Sequence, residues 1–184
     1  FDLRLADQVD LAQIDIFDNQ EQSSRAKKEQ KSDILSTLVA LRQFDEFRDN
    51  RVLVVDDESF CQTATKQILS VLGFHQKFQI DTCISGEEAL EQIRQLYPRG
   101  YKYKLILMDF SMDGMSGIEA TQLLRALFAT EMGLTREEQP KIVGVTGHST
   151  NYYIERGMAA GMDLIQPKPF YKEDMQRVVE QLRL

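Results

Sequence analysis

RVLVVDD, residues 51–57, is the stretch that decides the fold: four apolar residues, three of them valine, run directly into two aspartates. Two further stretches repeat the pattern, since YKLILMD (103–109) ends in an aspartate and MDLIQPK (162–168) ends in a lysine. Short apolar runs bounded by polar residues are typical of strands buried on both faces of a parallel sheet. Because the carboxyl ends of such strands open onto the ligand crevice, we expect these polar side chains to converge in one cleft.

The acids at the strand ends indicate a site for a divalent cation. Asp56, Asp57 and Asp109 would repel one another in one cleft unless a positive charge neutralises them. Mg²⁺ prefers oxygen ligands, uses one or two carboxylates and keeps several waters. The segment DFSMDGMSGIEA (109–120) also resembles a calcium loop, but its twelfth residue, where a bidentate glutamate is required, is Ala120. We therefore expect Mg²⁺ rather than Ca²⁺.

The rest of the chain alternates strand-like and helix-like segments. We expect a doubly wound α/β fold with a five-stranded parallel sheet of order 2-1-3-4-5, which is flavodoxin-like. Capping boxes predict helix starts at Ser59, Ser85 and Ser116, each with Glu or Gln three residues later. The predicted elements are strands near 51–55, 78–83, 104–108, 142–145 and 163–166 and helices near 59–72, 86–96, 116–132, 151–160 and 170–183.

The order of the motifs from about residue 51 to residue 184 resembles the response-regulator receiver domain, the phospho-accepting module of histidine-to-aspartate phosphorelays. The resemblance rests on the acid pair in VLVVDDE, the aspartate in LMDFSMDGMSG, the threonine in IVGVTG and the lysine in QPKPF. Each piece is weak by itself, and the ordered set is the signal. The resemblance makes Asp109 the phosphoacceptor, Asp57 a direct Mg²⁺ ligand and Asp56 a helper through water. Asp109 and the backbone carbonyl of Ser111 would complete the protein's share of the metal ligands.

The resemblance also implies which residues bind the phosphoryl group and which residues change position after phosphorylation. The Thr146 hydroxyl and the Lys168 ammonium would bind the phosphoryl oxygens, because phosphoryl transfer depends mainly on positioning and electrostatic stabilisation. Ser111 and His148 resemble positions that modulate the lifetime of the acyl phosphate, although we favour an ordinary loop residue for His148. Thr146 and Ile165 resemble the switch pair of receivers. Position 165 is often aromatic in the family, so a rotating aromatic ring is not expected here.

Two further departures from the family pattern concern the loops. Receivers commonly place a proline four residues after the phosphoacceptor, and here that residue is Asp113. Its carboxylate either tunes the affinity for Mg²⁺ or points to solvent, and we favour the second interpretation. The segments YPRGYKYK (97–104) and EMGLTREEQP (131–140) look like expansions. We expect the second of them to lie far from the site.

Composition excludes several classes of protein. A net charge of −7 and a pI near 4.9 argue against nucleic-acid binding, which needs clustered lysine and arginine. No apolar stretch approaches the ~18 residues of a membrane span, so we expect no membrane contact by this segment. Cys61 and Cys83 lack metal-ligand spacing, and we interpret both as buried reduced thiols. We expect a cytoplasmic protein, or the cytoplasmic part of a longer membrane-associated kinase.

The chain of 184 residues is long enough for one sizeable core. We expect a receiver domain at 50–184, preceded at 1–49 by an N-terminal arm, a polar linker and an amphipathic helix. This extension is too short to be the catalytic core of a kinase.

These patterns favour one function and leave two alternatives. The first hypothesis is a phosphorelay receiver, free-standing or part of a hybrid histidine kinase, which takes a phosphoryl group from a histidine kinase or phosphotransfer protein onto Asp109. It would assist its own phosphotransfer and dephosphorylation. The fourth helix and fifth strand would contact a second copy or a downstream protein. The alternatives are a pseudo-receiver that serves only as a docking module and an aspartate-based phosphohydrolase, which would need an aspartate where Ser111 stands.

Overall fold

The computed structural model describes residues 47–147 and 150–184, which contain five strands and five α-helices. A single 3₁₀ turn at Tyr97–Arg99 follows the second helix. The predicted N-terminal arm and nearly all of its helix lie in residues 1–46, outside the described residues, so the predicted division of the chain stays a prediction. The strands are β1 (Arg51–Val55), β2 (Ile80–Cys83), β3 (Tyr103–Asp109), β4 (Lys141–Thr146) and β5 (Leu164–Pro167), and the helices are α1 (Ser59–Val71), α2 (Gly86–Leu96), α3 (Gly117–Thr130), α4 (Asn151–Ala159) and α5 (Lys172–Leu182).

All five strands are parallel and lie in the order β2-β1-β3-β4-β5, which confirms the predicted doubly wound fold. The register aligns their carboxyl ends: Val55 pairs with Met108, Asp109 with Val145, and Thr146 with the last residue of β5. The polar residues that end or follow β1, β3, β4 and β5 therefore lie at one edge of the sheet.

The core lies on both faces of the sheet. Leu53 and Val55 of β1 pack with α2 and α3, whereas Val52 and Val54 pack with α1 and α5. This burial on both faces explains why the run VLVV is apolar throughout rather than alternating. Burying one such side chain stabilises the fold by about 1.5–3 kcal/mol. None of the helices within 47–147 and 150–184 combines the length and apolarity needed to cross a bilayer.

The helix starts agree with two of the three predicted capping boxes. The Ser85 and Ser116 hydroxyls accept hydrogen bonds from the backbone N–H groups of Glu88 and Glu119. The box at Ser59 was wrong, because Glu58 is the N-cap and makes no side-chain capping bond. The Gln62 amide, which we expected to serve that box, instead donates to the carbonyl oxygens of the residue after β1 (2.7 Å) and of the last residue of β2 (3.0 Å).

Two expectations about burial also need correction. The spacing of the apolar residues in α3 predicts one core stripe formed by Ile118, Leu123, Leu124, Leu127 and Phe128. Leu123 is nevertheless 42% exposed, because it is rotated by about 100° from the fully buried Leu124. Cys83 is buried and free as expected, but Cys61 is only half-buried. Its thiol donates to the Glu58 carboxylate at 3.0 Å.

The expanded segment 131–140 precedes β4, at the end of the sheet away from the aligned carboxyl ends. Asp163 lies just before β5 and accepts hydrogen bonds from Arg125 of α3 and from Arg136 of the expansion, both at 2.8 Å. It also accepts one from the backbone N–H of Ile142 at 2.8 Å. These bonds tie the expansion to the sheet and keep it away from the cleft, as expected.

Candidate functional site

Three carboxylates meet at the carboxyl edge of the sheet. Asp56 and Asp57 follow β1 directly, and Asp109 is the last residue of β3. One oxygen of each lies within 4.8 Å of the other two. Asp56 and Asp109 are buried, while Asp57 is exposed. The structure therefore brings together the acids that the sequence predicted, with one of them open to solvent.

Lys168 supplies the positive charge of this cleft. Its Nζ lies 2.8 Å from Asp56 Oδ2 and 3.1 Å from Asp109 Oδ1. The backbone N–H of Lys168 donates to the carbonyl oxygen of Thr146 at 2.7 Å, and the Lys168–Pro169 peptide bond is cis. One ammonium thus bridges two carboxylates that would otherwise repel each other.

Burial and the neighbouring charges have opposing effects on the pKa values of Asp109 and Lys168. Burial raises the pKa of Asp109 above its ordinary value, the charge and hydrogen bond of Lys168 oppose this shift, and the charge of Asp56 adds to it. A backbone hydrogen bond from Ser111 also favours the ionised carboxylate. Burial lowers the pKa of Lys168, but the hydrogen bonds and charges of Asp56 and Asp109 outweigh burial and leave that pKa raised. Lys168 is therefore a cation at neutral pH.

Backbone amides hold two of the carboxylates in place. Asp56 Oδ1 accepts the N–H of Glu58 at 3.0 Å, and Asp57 Oδ2 accepts the N–H of Asp113, also at 3.0 Å. Sequence reasoning missed both bonds, because any residue except proline can donate from its backbone. The only signal was that Asp113 stands where the family commonly has proline.

The remaining predicted site residues lie at different depths. Thr146 is almost fully buried at the end of β4, next to Val145, the strand partner of Asp109. Ser111 is exposed, and Ile165 is half-buried in β5. His148 lies outside the described residues, so its proposed modulating role stays a prediction.

The start of α3 packs closely on the backbone of the β3 end. The N–H of Gly117 donates to the carbonyl oxygen of Phe110 at 3.1 Å. A Cβ atom at Gly117 would lie only 1.9 Å from the carbonyl oxygen of Asp109. Any side chain at this position would therefore push the helix away from Asp109.

Comparison with known proteins assigns the family. The model of the response regulator receiver domain matches residues 52–180. The chain belongs to this family. It is thus a receiver domain of two-component signalling, and its parallel sheet with acids at the carboxyl edge is the receiver fold. Receivers take phosphate from histidine kinases or phosphotransfer proteins.

Individual relatives of this receiver differ in length. Two-component system protein A of Emericella nidulans is 33% identical, with the match covering 70% of this chain and 17% of that protein. Two-component response regulator 24 of Arabidopsis thaliana is 38% identical, with 64% of this chain and 72% of that protein covered. The structure of chemotaxis protein CheY4 of Vibrio cholerae matches with a TM-score of 0.59 at 21% identity, over 73% of this chain and 98% of that one. This last similarity shows the fold alone.

The donor set of this receiver fits a hard divalent cation. Receivers generally bind Mg²⁺ at an acidic pocket, and here three carboxylates offer oxygens within 4.8 Å of one another. A second group, formed by Asp56, Glu58 and Cys61, lies beside it. Its thiol donates to Glu58, and this hydrogen bond raises the pKa of Cys61 to about 11, so the thiolate that a metal requires is disfavoured. The carboxylate group is the better metal site.

Proposed function

We propose that this receiver accepts a phosphoryl group from phosphohistidine on Asp109 in a Mg²⁺-dependent reaction. The observation that carries the proposal is the arrangement around Asp109. Its carboxylate is buried, lies 3.1 Å from the Lys168 ammonium, and belongs to a group of three acids whose oxygens lie within 4.8 Å of one another. A docking module has no need of such a site, and no feature of residues 47–147 and 150–184 favours that alternative.

The residues of the site would divide between the metal and the phosphoryl group. Asp57, Asp109 and the backbone carbonyl of Ser111 would bind Mg²⁺ directly, and Asp56 would act through water. When bound, Mg²⁺ supplies positive charge that neutralises the acids and the oxygens of the transferring group. Lys168 is already charged and adjacent to Asp109, and Thr146 lies on the neighbouring strand. These two side chains would hold the phosphoryl oxygens.

The transfer itself exchanges one bond to phosphorus for another. A carboxylate oxygen of Asp109 attacks the phosphorus, the bond between phosphorus and the histidine nitrogen breaks, and the imidazole leaves with the electron pair of that bond. Lys168 stabilises the negative charge spread over the phosphoryl oxygens. Water later attacks the acyl phosphate and releases inorganic phosphate, which returns the Asp109 carboxylate. The receiver thus assists both its phosphorylation and its dephosphorylation.

The phosphodonor would reach the site across α1. Phe60, in the first turn of α1, is 81% exposed and lines a groove of about 220 Å³ whose other wall includes Lys168, Pro169 and Phe170. Because Lys168 belongs both to the groove and to the site, a histidine-bearing helix seated there would lie next to Asp109. We propose this groove as the contact for the histidine kinase or phosphotransfer protein.

A separate surface would carry the output. Tyr152 and Met158 on α4 are 59% and 48% exposed. The use of α4 and β5 as the contact for a second copy or a downstream protein stays a prediction, as does a cytoplasmic location.

Beryllofluoride binding tests the proposed site, because this anion mimics an acyl phosphate on a carboxylate. Amide NMR shifts would be followed while beryllofluoride is added with and without Mg²⁺, to the wild type and to Asp109→Asn. We expect saturable binding that needs Mg²⁺ and the Asp109 carboxylate. Failure of the folded wild type to bind would count against the proposal and favour the docking module.

A further inference from the structure

The residue that follows the phosphoacceptor touches the backbone of two other elements. The ring of Phe110 is buried and lies against Gly144 of β4 and Gly157 of α4. A Cβ atom at Gly144 would lie 2.3 Å from Phe110 Cε2, and one at Gly157 would lie 2.7 Å from Phe110 Cζ. No side chain fits at either glycine while the ring keeps its place.

The same ring meets side chains from α4 and β5. Phe110 packs edge-on against Tyr153 of α4, with ring centroids 6.5 Å apart and an interplanar angle of 73°. Ile165 Cδ1 and Met162 Sδ lie around the same glycines, at 2.7 and 3.0 Å from a Cβ built at Gly157. The predicted switch position in β5, Ile165, therefore lies in the same cluster as the ring of Phe110.

The backbone of Phe110 is tied to the site. Its N–H donates to the carbonyl oxygen of Val145 at 2.9 Å, and Val145 pairs with Asp109 and precedes Thr146. Its carbonyl oxygen accepts the N–H of Gly117 at the start of α3. A shift of the β4 end towards a phosphoryl group on Asp109 would therefore act directly on the peptide that carries the ring.

We propose that Phe110 is the positioning residue that couples phosphorylation of Asp109 to α4. This inference rests on the proposed function. The ring fills the space between the β4 backbone and the α4 backbone, and a tightly packed interior moves between discrete arrangements rather than deforming smoothly. When Thr146 and Lys168 close on the phosphoryl group, the ring and α4 must move together.

This coupling through Phe110 differs from the rotating aromatic ring that the family often has at the position of Ile165. Ile165 carries no ring that could rotate, and its Cδ1 shares the space next to Gly144 and Gly157 with Phe110. In this chain the aromatic group beside those glycines is Phe110, which directly follows the last residue of β3.

Hydrogen exchange tests the coupling. Exchange of the α4 amides (residues 151–159) would be measured by NMR with Mg²⁺ alone and with Mg²⁺ plus beryllofluoride, in the wild type and in Phe110→Leu. The matched control is Phe128→Leu, the same change at an equally buried phenylalanine in α3 of the same core. Tyr153→Leu removes the ring contact from the half-exposed side and carries the test if Phe110→Leu does not fold.

In the wild type and in Phe128→Leu, beryllofluoride should change α4 exchange by about fivefold or more, the lower end of coupling between sites. Phe110→Leu or Tyr153→Leu should still bind beryllofluoride while α4 exchange changes by less than about twofold. A wild-type response in these variants, an equal loss in Phe128→Leu, or no α4 response in a wild type that binds the anion would overturn the coupling. Absence of binding in the wild type would instead refute the proposed function on which the coupling depends.

Discussion

The backbone N–H of Asp113 donates a hydrogen bond to the carboxylate of Asp57, with 3.0 Å between the nitrogen and Oδ2. This bond joins the loop after β3 to the loop after β1 and fixes the orientation of the exposed acid of the site. A proline at position 113, as is common in the family, could not make this bond because it has no N–H.

We predict that Asp113→Pro weakens Mg²⁺ binding more than Asp113→Asn does. Both substitutions remove the carboxylate of Asp113, but only proline removes the N–H. The loss of one net hydrogen bond of roughly 0.5–1.5 kcal/mol corresponds to an affinity about two- to twelvefold lower. Calorimetric titration with MgCl₂ measures the difference. Equal affinities of the two variants would show that the bond does not position Asp57.

Asp109 should limit the stability of the fold before metal binds. Burial raises the pKa of Asp109 in the folded protein, so the folded state holds this proton more tightly than the unfolded chain. The stability that the proton contributes is present at acid pH and is lost as the pH rises through the raised pKa. Asp109→Asn removes this loss, while Lys168 keeps its 2.8 Å contact with Asp56.

We therefore predict that Asp109→Asn is more stable than the wild type at neutral pH without Mg²⁺, by about 0.5–2 kcal/mol, the range common for single stabilising substitutions. The difference should grow as the pH rises from the acid range and level off near neutrality. Urea unfolding across this pH range, in buffer with a chelator, measures it. A wild type that is the more stable protein at pH 7 would contradict the prediction.

Lys168 should compete with Mg²⁺ for the same carboxylates. In Lys168→Met the apolar stem remains, but Asp56 and Asp109 lose the cation that lies 2.8 and 3.1 Å from them. Without Mg²⁺ the variant should be destabilised by about 1–3 kcal/mol, below the usual cost of breaking a fully buried pair because Lys168 is partly exposed. Saturating Mg²⁺ should recover most of that loss.

Thermal unfolding with and without Mg²⁺ measures this prediction. Lys172→Met, at the exposed start of α5, is the matched control and should change neither the stability nor the response to Mg²⁺. If Mg²⁺ stabilises Lys168→Met no more than the wild type, the ammonium and the metal do not share these carboxylates.

Phe60 should affect the rate of phosphoryl transfer from a protein donor but not from a small-molecule donor. Phe60→Ala removes the exposed ring that lines the groove beside Lys168. Loss of an aromatic anchor at an interface costs more than about 1 kcal/mol, so transfer from a phosphorylated histidine phosphotransfer protein at low concentration should slow about tenfold. Transfer from acetyl phosphate should be unchanged. Val71→Ala, at the other end of α1 and also exposed, is the control. Equal slowing with both donors would place Phe60 in the chemistry rather than in docking.

The sequence was sufficient to predict the strands and the positions of the three acids, because both depend on local pattern. The runs VLVV and LILM are both buried, and the residue after each run must emerge at the edge of the sheet. The positions of Asp56 and Asp109 at that edge could therefore be predicted from the sequence. The same logic located Lys168 after β5. Parallel register then brings these residues together without further information.

The errors arose where a side chain had a choice of partners. A serine followed by glutamine three residues later predicted a cap at Ser59, but the Asp56 carboxylate takes the N–H of Glu58 and Gln62 reaches the carbonyl oxygens of two strand ends. Two further features could not be predicted from the sequence: the hydrogen bond from Asp113 to Asp57 and the packing of the Phe110 ring against Gly144 and Gly157. They depend on backbone groups and glycines brought together from distant parts of the chain.

Phosphorylation of Asp109 can be detected by measuring the mass of the intact chain and of its peptides. The full chain would be incubated with acetyl phosphate, with and without Mg²⁺, beside Asp109→Asn. We predict that the wild type gains the mass of one phosphoryl group only with Mg²⁺ and that the added mass maps to the peptide containing Asp109. Hydroxylamine should remove the group, as expected for an acyl phosphate. A folded wild type that gains no phosphoryl group, or an Asp109→Asn variant that gains one equally, would contradict phosphorylation of Asp109.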